Sequence, residues 1–135
     1  MNRKVEKSRA GSSSKTGRWI GGYRKLIVWI EAKRLTTLVY RLTENFPRSE
    51  EFGLKAQMRR AAVSIMSNIA EGWLRRSSKD KLHFLEIAEG SLLELESEGE
   101  ICLEVGYWKE KEYQVFDKQR AKVAYLLYRY KKRIT

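Results

Sequence analysis

Gln57, Arg60, Ser64, Asn68 and Glu71 recur three or four residues apart, the spacing that lines side chains along one helix face. Amide, guanidinium, hydroxyl and carboxylate groups on one ribbon could bind a polar ligand or line a pore. Buried, the same groups would form a network that fixes helix register, with Arg60 satisfied by a carboxylate from the next helix. The structural role is the expected one. Glu71 lies near a helix C-terminus, where the dipole disfavours an anion. A basic partner is therefore expected, from Arg75 or Arg76.

A second group is basic and aromatic. Tyr125, Tyr128 and Tyr130 alternate with Arg129, Lys131, Lys132 and Arg133 near the C-terminus. Cations can hold a phosphate backbone while tyrosine rings stack on bases. Lysines also suit a helix C-terminus without any ligand, and Tyr130 falls on an apolar stripe. Arg75 and Arg76 add charge at a corner between helices. The candidate nucleic-acid contacts are therefore Arg75, Arg76, Arg129, Lys131, Lys132 and Arg133.

Catalytic chemistry finds few candidates. His83 is the only histidine and Cys102 the only cysteine, too few for a catalytic dyad or a multi-ligand His/Cys metal site. Glu86 and Glu89 could join His83 on one helix, but no second Glu-x-x-His pair exists for a di-iron bundle site. There is no glycine-rich phosphate loop. We expect no enzyme, no catalytic residues, no metal and no cofactor. Ile101 and Leu103 flank Cys102, which suits a buried structural thiol. One cysteine allows no internal disulfide, which favours a cytoplasmic location. No apolar run approaches the roughly 20 residues of a membrane span, and no apolar signal core opens the sequence.

The elements that must position these groups read as helices. The 135 residues suit one domain, and a single proline argues against a turn-rich β fold. Residues 1–22 carry Arg3, Lys4, Lys7, Arg9, Lys15 and Arg18 against Glu6, with serines and glycines between. Such a composition buries too little to offset ordering, so a flexible basic tail is expected. The remainder, 23–135, should form the bundle. Helix one is expected from about Tyr23 to Asn45, with Val28, Ala32, Leu35, Val39 and Leu42 as its stripe and an apolar surface wider than one core needs. Helix two should run from about Glu50 to Glu71 after a Ser49 cap, with Gly72 as a left-handed stop. Its apolar stripe is Leu54, Met58, Ala61, Ala62, Ile65, Ile69 and Trp73. Helix three should start at a Ser78 cap and end near Val105, closed by Gly106. Gly90 and Gly99 within it imply close approach of a neighbour. Helix four should span roughly Lys109 to Arg133. Short loops make successive helices antiparallel.

The net charge is +11, and such an excess points to an anionic partner, most often nucleic acid. Helix three is acidic, so the excess falls on the tail, the Arg75–Arg76 corner and helix four.

The run QMRRAAVSIMSNIAEG, with FPRSEEFGL before it and FLEIAEGSLLELESE after it, resembles the 23S rRNA-intervening-sequence proteins, a bacterial four-helix-bundle family. The likeness is distinct from about Tyr23 to Gly106. Met66 departs from the proline usual there. The resemblance implies no enzymatic activity and a homo-oligomer, with a pentamer the leading form. A distant relative, the accessory protein of diversity-generating retroelements, implies RNA or DNA and a nucleic-acid-processing protein such as a reverse transcriptase as partners.

The combined expectation is an all-α, up-down-up-down antiparallel four-helix bundle with a flexible basic tail. It would be an oligomeric module that binds nucleic acid through basic surfaces. The alternative is a protein-interaction scaffold that touches no nucleic acid.

Overall fold

The computed structural model describes residues 20–135. Four helices account for most of them: α1 (Ile27–Leu42), α2 (Leu54–Leu74), α3 (Ser78–Glu104) and α4 (Glu110–Ile134). Two 3-10 segments, Ile20–Lys25 and Arg48–Glu50, precede α1 and α2. Packing joins α1 to α2, α2 to α3, α3 to α4 and α4 back to α1, with no contact across either diagonal. That is the up-down-up-down antiparallel bundle. The α2–α3 pair has the most extensive packing. The tail expected over 1–22 lies outside the described residues except for 20–22, which begin the first 3-10 segment.

The core follows the stripes. Val28, Ala32, Leu35 and Val39 of α1 meet Met58, Ala62, Ile65 and Ile69 of α2. Leu85, Ala88, Leu92, Leu95 and Cys102 of α3 and Phe116, Val123 and Leu127 of α4 complete it. Trp108, in the α3–α4 loop, plugs one end of the bundle, and its Nε1 donates to the Leu42 carbonyl at 2.8 Å.

Several expected boundaries are corrected. Helix one starts at Ile27, because Tyr23–Lys25 wind as a 3-10 turn instead. Helix two starts at Leu54, and Ser49 does not cap it. The N-cap position is Gly53, and the first helical amide, that of Leu54, donates to Glu50 Oε1 at 2.9 Å. Gly53 leaves room for that carboxylate, which a Cβ would meet at 2.7 Å. Gly72 is no left-handed stop: it is buried within α2. A Cβ there would lie 3.2 Å from the Lys81 carbonyl and 3.4 Å from Leu85 and Phe84 atoms, so glycine lets α3 approach. Helix α3 is capped by Ser77, one residue earlier than expected, whose hydroxyl accepts from the Asp80 amide at 3.1 Å. Gly106 does close α3, at φ 82°.

Gly99 and Gly90 divide. A Cβ on Gly99 would stand 2.5 Å from a Phe116 ring carbon, whereas at Gly90 it would meet nothing within 4 Å. Close approach accounts for the first glycine; nothing in the structure requires the second.

A candidate nucleic-acid interface at one end of the bundle

Antiparallel connection of four helices brings the start of α1, the end of α2, the start of α3 and the end of α4 to one end of the bundle. The Arg75–Arg76 corner and the Arg129–Arg133 turn, far apart in sequence, therefore share that end. Arg24, Lys25 and Lys79 join them. The opposite end carries Glu44, Glu50, Glu51, Glu100, Glu104, Glu110 and Glu112 beside Arg41, Arg48, Lys55, Lys109 and Lys111, so its charges come close to balance. Charge is thus sorted along the bundle axis as well as between helices. Within the helices, α4 holds eight cationic against three anionic side chains, and α3 holds two against eight.

The candidate cations are not equivalent. Arg75 pairs with Glu71 and stacks over Phe84 at 4.8 Å. This is the basic partner expected for Glu71. Lys131 is bound to Glu89 of α3 at 2.7 Å. Arg76 is exposed. Arg129, Lys132 and Arg133 are exposed too, and they lie against aromatic rings. The Arg129 guanidinium sits 5.8 Å from the Tyr125 ring centre, Lys132 Nζ 5.7 Å from Tyr128 and Arg133 5.5 Å from Tyr130. Arg129 also donates to the Tyr125 hydroxyl at 2.8 Å. Among the described residues these three cations make no ion pair with a carboxylate. A cation against a ring has no counter-charge beside it, whereas the field of one paired with a carboxylate is largely cancelled.

The polar ribbon of α2 is only partly the network expected. Ser64, Asn68 and Glu71 are half-buried, whereas Gln57 and Arg60 are exposed. The Oγ atoms of Ser64 and Ser91 stand 2.8 Å apart and tie α2 to α3. Asn68 Nδ2 donates back to the Ser64 carbonyl at 2.8 Å and to its hydroxyl at 3.1 Å. Arg60 forms no ion pair within 4 Å among the described residues; it acts on Glu98 of α3 through its charge. Arg60 and Ser64 also border a shallow depression with Tyr40, Arg59 and Val63. Arg59 is committed there, donating to Thr43 Oγ1 at 3.0 Å and to the Tyr40 carbonyl at 3.1 Å.

Two buried carboxyls escape a reading based on composition. Glu98 is 6% exposed. Burial pushes its carboxyl up to about 8; hydrogen bonding with Glu94 and its charge add to the rise, and Arg60 opposes it. Glu31 is also buried, and burial alone would raise it. The Gln119 hydrogen bond and the charges of Lys122 and Arg34 outweigh that and hold it below its ordinary value. Both residues sit on core stripes, Glu98 between Leu95 and Cys102 and Glu31 between Val28 and Leu35, and that spacing was the available signal. Lys118 and Lys122 are a further omission. They extend the exposed α4 face that bears Tyr125, Arg129 and Lys132, at the same three-and-four spacing.

His83 is exposed, with its ring 5.2 Å from that of Phe84. Cys102 is buried, its Sγ 3.4 Å from Met58 Sδ, and burial pushes its thiol up to about 12. It is the inert structural thiol expected. No helix among the described residues is long and apolar enough to cross a membrane.

Comparison with solved structures finds a protein of unknown function from the S23 ribosomal protein family of Bacteroides thetaiotaomicron. It superposes with a TM-score of 0.70 at 23% identity, over 78% of this chain and 99% of that one. At that identity the likeness shows the fold. A comparison with curated proteins found no match. The model of the 23S rRNA-intervening sequence protein family matches residues 24–129, which spans all of α1, α2 and α3 and most of α4. The chain belongs to the 23S rRNA-intervening sequence protein family.

Proposed function

We propose that this protein is a non-enzymatic, oligomeric module that associates with RNA or DNA through the basic end of its bundle. The observation that carries this reading is the gathering of Arg76, Arg129, Lys132 and Arg133 at one end, exposed and unneutralised by carboxylates among the described residues. The basic segment 1–19 joins the chain at that same end, through Ile20–Lys25. Phosphate backbones are recognised by such accumulations of charge without a deep pocket. Several subunits on one strand would act multivalently.

Fluorescence anisotropy with labelled RNA and DNA tests this. Binding should appear at about 50 mM salt and weaken steeply as salt rises. Deleting residues 1–22, or reversing charge with Lys132→Glu and Arg133→Glu, should flatten the slope of affinity against salt. If the intact protein binds neither polymer at low salt, the reading fails.

Self-association is part of the proposal, with five subunits as the leading form. Its support is apolar surface left exposed on the bundle, on α3 above all. On α1, Trp29, Ile30 and Leu38 are half-buried, while Ile27 and Tyr40 are 64% and 41% exposed. On α3, Leu93, Ile101 and Val105 are 65%, 49% and 54% exposed. The same residues favour the scaffold alternative, in which another protein covers them. Sedimentation that shows only a 15.9 kDa species would remove the oligomer. Salt-insensitive capture of a protein partner, without nucleic-acid binding, would favour the scaffold.

A further inference from the structure

Resting on the nucleic-acid reading, we infer that the bound polymer is single-stranded, and that it runs along the exposed face of α4 with bases stacked on Tyr125 and Tyr128. Charge alone would accept a duplex as readily as a strand. The α4 face holds more than charge. Tyr125 and Tyr128 are 57% and 54% exposed, two rings within one turn on a rigid helix. Tyr130 differs: it is 9% exposed and packs in the core. A duplex hides the faces of its bases, so exposed rings gain little from it. An unpaired strand offers a face at every base, and stacking tolerates any sequence.

The cations beside the rings complete the surface. Lys118, Lys122, Tyr125, Arg129 and Lys132 follow one another at four, three, four and three residues, covering about 21 Å of helix. Lys122 reaches Glu31 at 3.5 Å and remains half-exposed; Lys118 is exposed and makes no ion pair among the described residues. On the side of α4 that faces α3, the cations are neutralised instead: Arg120 by Glu96 and Asp117, Lys131 by Glu89. Lys122 apart, positive charge is therefore left uncompensated on the face that carries the rings. Rings flanked by cations on one helix face suit a strand that offers a base face and a phosphate at every nucleotide.

The experiment uses the full chain with labelled oligo(U), oligo(dT) and a blunt RNA duplex, each ~20 nucleotides long, at about 50 mM salt. Both single strands should bind at least about tenfold more tightly than the duplex. The Tyr125→Ala/Tyr128→Ala variant should bind single strands about tenfold or more weaker, with an unchanged salt slope. Tyr125→Phe/Tyr128→Phe should bind like the parent, because the ring is kept. Lys118→Glu/Lys122→Glu should flatten the slope. Equal affinity for duplex and strand, or undiminished binding by the alanine variant, overturns the inference and leaves the basic-end reading standing. Absence of binding to all three probes overturns both.

Discussion

Phe116 of α4 presses its ring against the bare backbone of Gly99 on α3, 2.5 Å from where a Cβ would stand. Both residues are buried. Gly99→Ala should therefore destabilise the bundle by about 1–3 kcal/mol through overpacking, despite the better helix propensity of alanine. Urea unfolding with an unchanged m-value measures this. Parental stability would show that the ring yields freely.

Gly90, also in α3, gives the opposite expectation. A side chain there meets nothing within 4 Å, and the residue is helical and exposed. Gly90→Ala should stabilise by about 0.5–1 kcal/mol, by restricting the unfolded chain and favouring the helix. A higher urea midpoint confirms it, and a lower one would reveal a neighbour at this position in the assembled protein.

Glu98 makes stability fall as pH rises between about 4.5 and 8. Its folded carboxyl titrates at about 8, above the ordinary 4.5, so the folded state holds a proton that the unfolded state has lost. Its contribution is full below about pH 4.5 and declines as pH rises towards 8, by at most about 1.4 kcal/mol per unit. Glu98→Gln should remove that decline and leave the protein more stable than the parent at pH 8. Melting temperatures at pH 6 and pH 8 decide it; parallel curves for the two proteins would mean that Glu98 is solvated.

Glu31 acts in the other direction. Gln119 Nε2 donates to its carbonyl and to its Oε1, both at 2.9 Å, and this fastens α4 to α1. Its carboxyl is held below 4.5, so the stability it lends is present above that pH and is lost as pH falls through the lowered value. Glu31→Ala should cost about 1.5–3 kcal/mol at pH 7. Most of that should come from the lost Gln119 Nε2–Oε1 bond, since Lys122 and Arg34 are largely exposed and screened. Gln119→Leu in the same background should add only the loss of the bond to the Glu31 carbonyl, less than it costs in the parent, as a double-mutant cycle would show.

The stripes made the four helices legible, because burial of one face requires the three-and-four spacing wherever a helix packs. The ends were less so. Glu50 rather than Ser49 accepts from the first helical amide, since a longer side chain can reach across the turn at Gly53. Gly72 was read as a backbone device, whereas its smallness admits α3, and only the packed partner distinguishes the two. Of the candidate site, each cation was visible singly. Their relative standing was not, because Lys131 meets Glu89 across the α3–α4 groove whereas Arg129 lies against Tyr125, one turn back on its own helix. Glu98 was grouped with the acidic surface because residue type outweighed position. Its place between Leu95 and Cys102 argues for burial, and its raised carboxyl permits it.

Sorting of charge along the bundle axis gives the described part of the molecule a permanent electric dipole. In the field of a polyanion that dipole feels a torque, which turns the basic end forward before any contact is made. The rotational search that slows most macromolecular encounters is thereby shortened. Moving anions to the basic end while keeping the net charge constant would slow capture even if every contact residue were left in place.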